Sequence, residues 1–114
     1  MAGMRAMVIR NFGGPETFEE TELPIPEPGP GQVRVKVAAT SWNPIESKIR
    51  AGLARLGPEF PAVLNSDVAG VVDGVGSGVK GFSEGDNVFA CSGGIKGGQG
   101  ALAEYTLVDA RLLA

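Results

Sequence analysis

Residues 66–88, SDVAGVVDGVGSGVKGFSEGDNV, decide how this 114-residue chain is read. Val68, Val71, Val72 and Val75 are β-branched residues set among small ones, a pattern that predicts a strand. Glycines then punctuate the chain. Phe82 leads into a Gly85-Asp86 turn, and residues 87–90 predict a second strand. A strand, a glycine-rich turn and a returning strand describe a hairpin, and hence a sheet protein.

The same stretch holds Gly76-x-Gly78-x-x-Gly81, which matches the dinucleotide fingerprint letter for letter. Its context does not match. Phe82-Ser83-Glu84-Gly85-Asp86 reads as a turn, so no row of helix N-terminal amides follows to bind a pyrophosphate. The acidic residue expected about 20 positions on, at the end of a second strand, is missing too. The motif reads as a hairpin turn. No Lys is followed by Ser or Thr, which removes a Walker loop.

Outward from this hairpin, residues 4–10 and 18–23 predict two strands joined by a turn at Gly13-Gly14-Pro15. Residues 23–31, LPIPEPGPG, alternate proline with other residues and read as a stiff surface connector. Residues 32–40, QVRVKVAAT, set Val33, Val35 and Val37 against Gln32, Arg34 and Lys36, the alternation of a half-buried strand. One short helix follows. Asn43 caps it, Pro44 takes its first position, and Glu46 completes a capping box. Ile45 and Ile49 share a face, Glu46 and Arg50 are spaced to pair, and Gly52 is the stop. Residues 53–64 read as an irregular crossing broken by Gly57-Pro58 and Pro61. Residues 91–100 form a glycine-rich loop, and residues 102–108 return as a strand ending at Asp109. Strands, one helix and more strands describe a mainly β, partly open barrel with one or two short helices.

Composition narrows the function. The chain is 43% hydrophobic and 20% charged, as globular proteins are, and its 18 glycines and eight prolines favour short strands with tight turns. A net charge of -3 without a basic cluster argues against a nucleic-acid partner. No apolar run approaches the roughly 18 residues of a membrane span, and residues 1–7 lack the apolar core of a secretory signal. One cysteine, Cys91, cannot form an internal disulfide and fits a reducing, cytoplasmic setting. There is no histidine. Cys91 therefore lacks an activating base and reads as a structural thiol. Trp42 reads as a core or cleft-wall aromatic, and Gln99 with its glycine neighbours as a cleft mouth or a flexible loop.

The 66–88 stretch resembles the signature of the medium-chain dehydrogenase/reductase superfamily: Gly-His-Glu, a small apolar pair, Gly, Val-Val, Val-Gly, Gly-Val, Phe, Gly-Asp-x-Val. Asn65-Ser66-Asp67 stands where zinc-dependent members carry Gly-His-Glu. The segment from Thr40 to Glu46 resembles the Val-Asn-Pro-Val-Asp/Glu of the zinc-independent quinone oxidoreductase branch. Gly100-Ala101-Leu102-Ala103-Glu104-Tyr105 resembles the Gly-x-x-Ala-Glu-Tyr of that branch.

This resemblance implies a GroES-like catalytic domain over residues 1–114, with a Rossmann nucleotide-binding domain expected after Ala114. It implies hydride transfer from NADPH to a quinone or an α,β-unsaturated carbonyl, in an enzyme that could be a homodimer. Asn43 falls at the zinc enzymes' first cysteine, Ser66 at their histidine and Asp67 at their glutamate. Asn and Ser are poor zinc ligands, so no metal is expected. Asn43 and, more weakly, Ser66 are the catalytic candidates, as donors to the acceptor oxygen. Asn43 is also a cofactor-cleft candidate. Lys48 replaces a tyrosine of the family and is a second cofactor-binding candidate, for a phosphate. A GroES-like scaffold or co-chaperonin module is the alternative, and a binding module without catalysis a third reading.

Overall fold

The computed structural model describes residues 3–53, 60–91 and 100–114. Two antiparallel sheets organise it. The smaller contains β1 (Gly3–Ile9), β2 (Glu19–Pro24) and the two-residue β4 (Ala62–Val63), in the order β2-β1-β4. The larger contains β3 (Gln32–Thr40), β5 (Asp67–Val75), β6 (Asn87–Cys91) and β7 (Tyr105–Asp109), in the order β6-β5-β3-β7. The sheets meet where Ala6 of β1 bridges Ala103 just ahead of β7, and no closed barrel forms among the described residues. The mainly β, partly open architecture expected from the sequence is the one observed.

The valine alternation explains the larger sheet. Val33 and Val35 of β3, Val68 and Val72 of β5, Val88 of β6 and Val108 of β7 point to one side and are buried together with Ala101 and Leu113. Each fully buried valine contributes on the order of 1.5–3 kcal/mol relative to an exposed one. Register shifts between Arg34 and Val35 and between Val37 and Ala39 bend β3 against β5. A second cluster, Ile9, Ile49, Ala62 and Leu64, seats the helix on the smaller sheet.

The 76–81 glycines form a turn between β5 and β6, as their context demanded. Gly78 and Gly81 have φ of 79° and 90°, a region that a side chain disfavours. No helix begins there. The proline connector is fastened by Arg34. Its Nε donates to Asp73 at 3.0 Å, one terminal nitrogen donates to the Pro26 carbonyl at 3.1 Å, and its guanidinium lies 5.7 Å from the Tyr105 ring centre.

Several local expectations change. Glu46 and Arg50 do not pair. Arg50 Nε donates to the Gly13 carbonyl at 3.3 Å, and its guanidinium lies against Phe18 and Trp42, 5.9 and 5.5 Å from the ring centres. The helix buries Glu46 towards the sheets, and Arg50 finds aromatic faces instead. The two isoleucines also part: Ile49 is 1% exposed and Ile45 37%. The final strand starts at Tyr105 rather than residue 102, because residues 102–104 spend their backbone bonds crossing to β1 and β3. Short 3-10 turns at Pro15–Thr17 and Ala110–Leu112, and the strand β4, had no sequence signal strong enough to call. Cys91 ends β6 and is exposed. Gly57-Pro58 and Gln99 lie outside the described residues.

Candidate functional site

The helix α1 (Pro44–Ala51) starts where β3 runs out, and its first turn faces the beginning of β5. Asn43 holds the N-cap in an extended conformation (φ -113°, ψ 159°), Pro44 follows at the first position, and Gly52 closes the helix at φ 80°. These are the local rules read in the sequence. The Glu46 carboxylate reaches back, and its Oε1 accepts from the Asn43 backbone N–H at 3.1 Å.

The side chain of Asn43 does more than cap. Its Nδ2 donates to Asp67 Oδ2 at 2.9 Å and to Glu46 Oε1 at 3.1 Å. Ser41 Oγ donates to the same Asp67 oxygen at 2.7 Å. One amide nitrogen thus lies between two carboxylates, one at the start of β5 and one inside the helix. Glu46 is fully buried, and its Oε2 has no hydrogen-bond partner. The hydrogen bonds from Asn43 and then Ser41 hold the Asp67 carboxyl below its ordinary range, against a smaller opposing effect of burial.

A second layer supports the first. Thr40 Oγ1 donates to the Asp67 carbonyl at 2.6 Å and accepts from Asn65 Nδ2 at 3.3 Å. Asn65 is 3% exposed and adopts φ 73°, where Asn is tolerated better than most residues. Its carbonyl accepts from Ala101 N–H at 2.8 Å. Gly100 crosses so close that a β-carbon there would collide with the carbonyls of Leu64 and Asn65. The Gly100 motif therefore has a packing reason.

The candidates separate in space. Asn43 is half-buried and at the centre, Asp67 is its direct partner, Ser66 is buried at 4% exposure, and Lys48 is exposed on the helix surface. The sequence assigns Glu46 a capping role and sets Asp67 at the zinc enzymes' glutamate with no role of its own. Their shared hold on Asn43 is invisible in the chain, because Asp67 lies 24 residues from Asn43. Trp42 is 42% exposed and pinned: Nε1 donates to Ser47 Oγ at 2.8 Å, and Phe18 meets it edge-on at 5.7 Å. Among the described residues, no three His, Cys, Asp or Glu side chains gather as a metal site would require. No helix among them is long and apolar enough to cross a membrane.

The family model described as the alcohol dehydrogenase GroES-like domain matches residues 29–114. Quinone oxidoreductase of Rattus norvegicus is 41% identical over 105 residues, covering 91% of this chain and 31% of the relative. The chloroplastic NADPH-dependent alkenal/one oxidoreductase of Arabidopsis thaliana is 40% identical over 117 residues, covering 97% and 30%. Among solved structures, an alcohol dehydrogenase superfamily protein from Novosphingobium aromaticivorans superposes with a TM-score of 0.90 at 46% identity, covering 97% of this chain and 33% of that one. The chain spans about a third of the length of these relatives. It belongs to the alcohol dehydrogenase GroES-like domain family, in the quinone oxidoreductase-like branch of the medium-chain dehydrogenases/reductases.

Proposed function

We propose that this chain is the substrate-facing domain of an NADPH-dependent, zinc-independent oxidoreductase that reduces quinones or α,β-unsaturated carbonyls. The observation that carries the reading is the Asn43–Glu46–Asp67–Ser41 cluster at the start of α1, on a scaffold whose relatives are quinone and alkenal/one oxidoreductases. Asn43 and Ser66 wall the place where acceptor and nicotinamide meet. Lys48, exposed one turn into the helix, suits a cofactor phosphate. A half-buried amide at the helix start and an exposed cation further along the helix suit the polar ends of a nicotinamide nucleotide.

The cofactor, when bound, supplies the hydride. The protein's part is orientation and exclusion of water. Zinc chemistry fits these side chains poorly. The Asn43 nitrogen faces two carboxylates, Ser66 offers a hydroxyl, and the sequence has no histidine. A quinone or enone also spreads incoming charge over a conjugated oxygen, so a Lewis acid is not required to stabilise a localised alkoxide.

The test is oxidation of NADPH by the complete gene product against a panel of quinones, enones and simple alcohols, with and without a chelator. Turnover of conjugated acceptors that survives chelation is expected. Activity confined to alcohols and lost with the metal overturns the proposal. A cytoplasmic homodimer is the accompanying expectation, checked by fractionation and gel filtration.

A further inference from the structure

We infer that Glu46 and Asp67 are positioning residues that turn Asn43 into a hydrogen-bond acceptor, so that it recognises the carboxamide N–H of the nicotinamide rather than the oxygen of the substrate. The inference rests on the proposed function and refines the role of its central residue.

A primary amide has two N–H donors and one carbonyl acceptor. Both donors of Asn43 are taken, by Asp67 Oδ2 at 2.9 Å and by Glu46 Oε1 at 3.1 Å. The opposite orientation of the amide would set its Oδ1 against two carboxylate oxygens, which have no hydrogen to offer. Chemistry thus fixes which end faces inward. Glu46 is fully buried and Asp67 is further held by Ser41, so neither carboxylate is free to release the amide. The Asn43 Oδ1 closes the capping box by accepting from the Glu46 backbone N–H, and what Asn43 has left for a ligand is the second lone pair of that oxygen.

An acceptor must meet a donor. Quinones and unsaturated carbonyls present oxygen acceptors only, so Oδ1 cannot hold them. The reduced nicotinamide carries a carboxamide with N–H donors, and unlike the O–H donors of the ribose these belong to the reacting ring that an acceptor at this place would orient. Asn43 then addresses the cofactor, and stabilisation of the developing oxyanion comes from another group.

Two measurements test this. In the ligand-free, isotopically labelled protein, the Asn43 side-chain amide hydrogens are expected to exchange with solvent roughly tenfold slower than those of exposed Asn87, and Asp67→Ala is expected to remove most of that protection. Exchange as fast as at Asn87 in the unmutated protein overturns the clamp. In the complete gene product, equilibrium binding of NADPH is compared with that of its acetylpyridine analogue, in which a methyl group replaces the carboxamide NH2. The unmutated protein is expected to prefer NADPH by about three- to tenfold, and Asn43→Ala to bring the ratio near one. Glu46→Gln, which keeps an acceptor oxygen for Asn43, is expected to preserve the preference, and Glu46→Ala to lose it. An unchanged ratio in Asn43→Ala, with a raised KM for the quinone instead, overturns the inference and leaves the proposed function standing. Failure to bind either nucleotide overturns both.

Discussion

The glycine loop at residues 76–81 and the start of the helix at Asn43 make an instructive pair. The loop carries a complete dinucleotide fingerprint and is a turn, with Gly78 and Gly81 at positive φ and no helix after it. The helix start carries no such signature. Yet it draws Asn43, Glu46, Ser41 and Asp67 into one hydrogen-bonded cluster across 26 residues of sequence. A motif acts through the backbone that presents it. Glycines bind phosphate only where a row of amides follows, and an asparagine becomes a site only where other elements orient it.

The sharpest way to break this contrast is Asn43→Asp. As a helix cap alone, Asp would replace Asn at little cost. In this cluster it removes both donors and sets a third carboxylate against Asp67 and buried Glu46. We expect a loss of about 3 kcal/mol at neutral pH, seen as a lower Tm, exceeding that of Asn43→Ala. The loss should shrink in acid, once the pH falls through the lowered range in which folded Asp67 takes up its proton. An unchanged Tm would reduce Asn43 to a cap.

Asn65 gives the next effect. Its φ of 73° and its bond to Thr40 hold the backbone beneath Asp67. Asn65→Val should cost about 2 kcal/mol by denaturant unfolding, and Asn65→Gly well under 1, since glycine accepts that conformation. Equal costs would show that side-chain packing, not backbone geometry, matters there.

Gly78→Ala probes the other region. With φ 79° and nothing within 4 Å, an added methyl meets strain but no clash, so about 1 kcal/mol should be lost. Nucleotide affinity of the complete gene product should not change. A specific loss of NADPH binding would return the fingerprint to the cofactor and reverse the comparison.

The smallest effect is that of pH on Asp67. Because its folded pKa lies below the ordinary value of 3.8, it contributes stability that is present above that value and lost as pH falls through the lower, folded one. The group is partly exposed, so the contribution should be under ~1 kcal/mol after screening. Comparing acid unfolding of the unmutated protein with Asp67→Asn measures it. Identical acid limbs would mean that Asn43 and Ser41 do not hold the ionised carboxylate.

Much of the scaffold was legible in the chain, because it rests on local rules. Valine alternation marked β3 to its ends, proline, glutamate and glycine bounded the helix, and the failed context of the glycine triplet identified the hairpin. The two-residue β4 was not legible, since its pairing with β1 is decided by the partner strand. Arg50 was misread for a related reason. Helical spacing allowed a bond to Glu46, but burial of that carboxylate and the nearby rings of Phe18 and Trp42 offered the guanidinium other partners.

By itself, then, the sequence determined the sheet-rich fold, the place of the helix and the chemistry available at Asn43, Ser66 and Asp67, because torsional preference, patterning and side-chain type are properties of neighbours along the chain. Only the tertiary structure decided which end of the Asn43 amide faces inward. That choice depends on two carboxylates brought within hydrogen-bond range from a strand and a helix, and a carboxylate oxygen accepts only from the nitrogen.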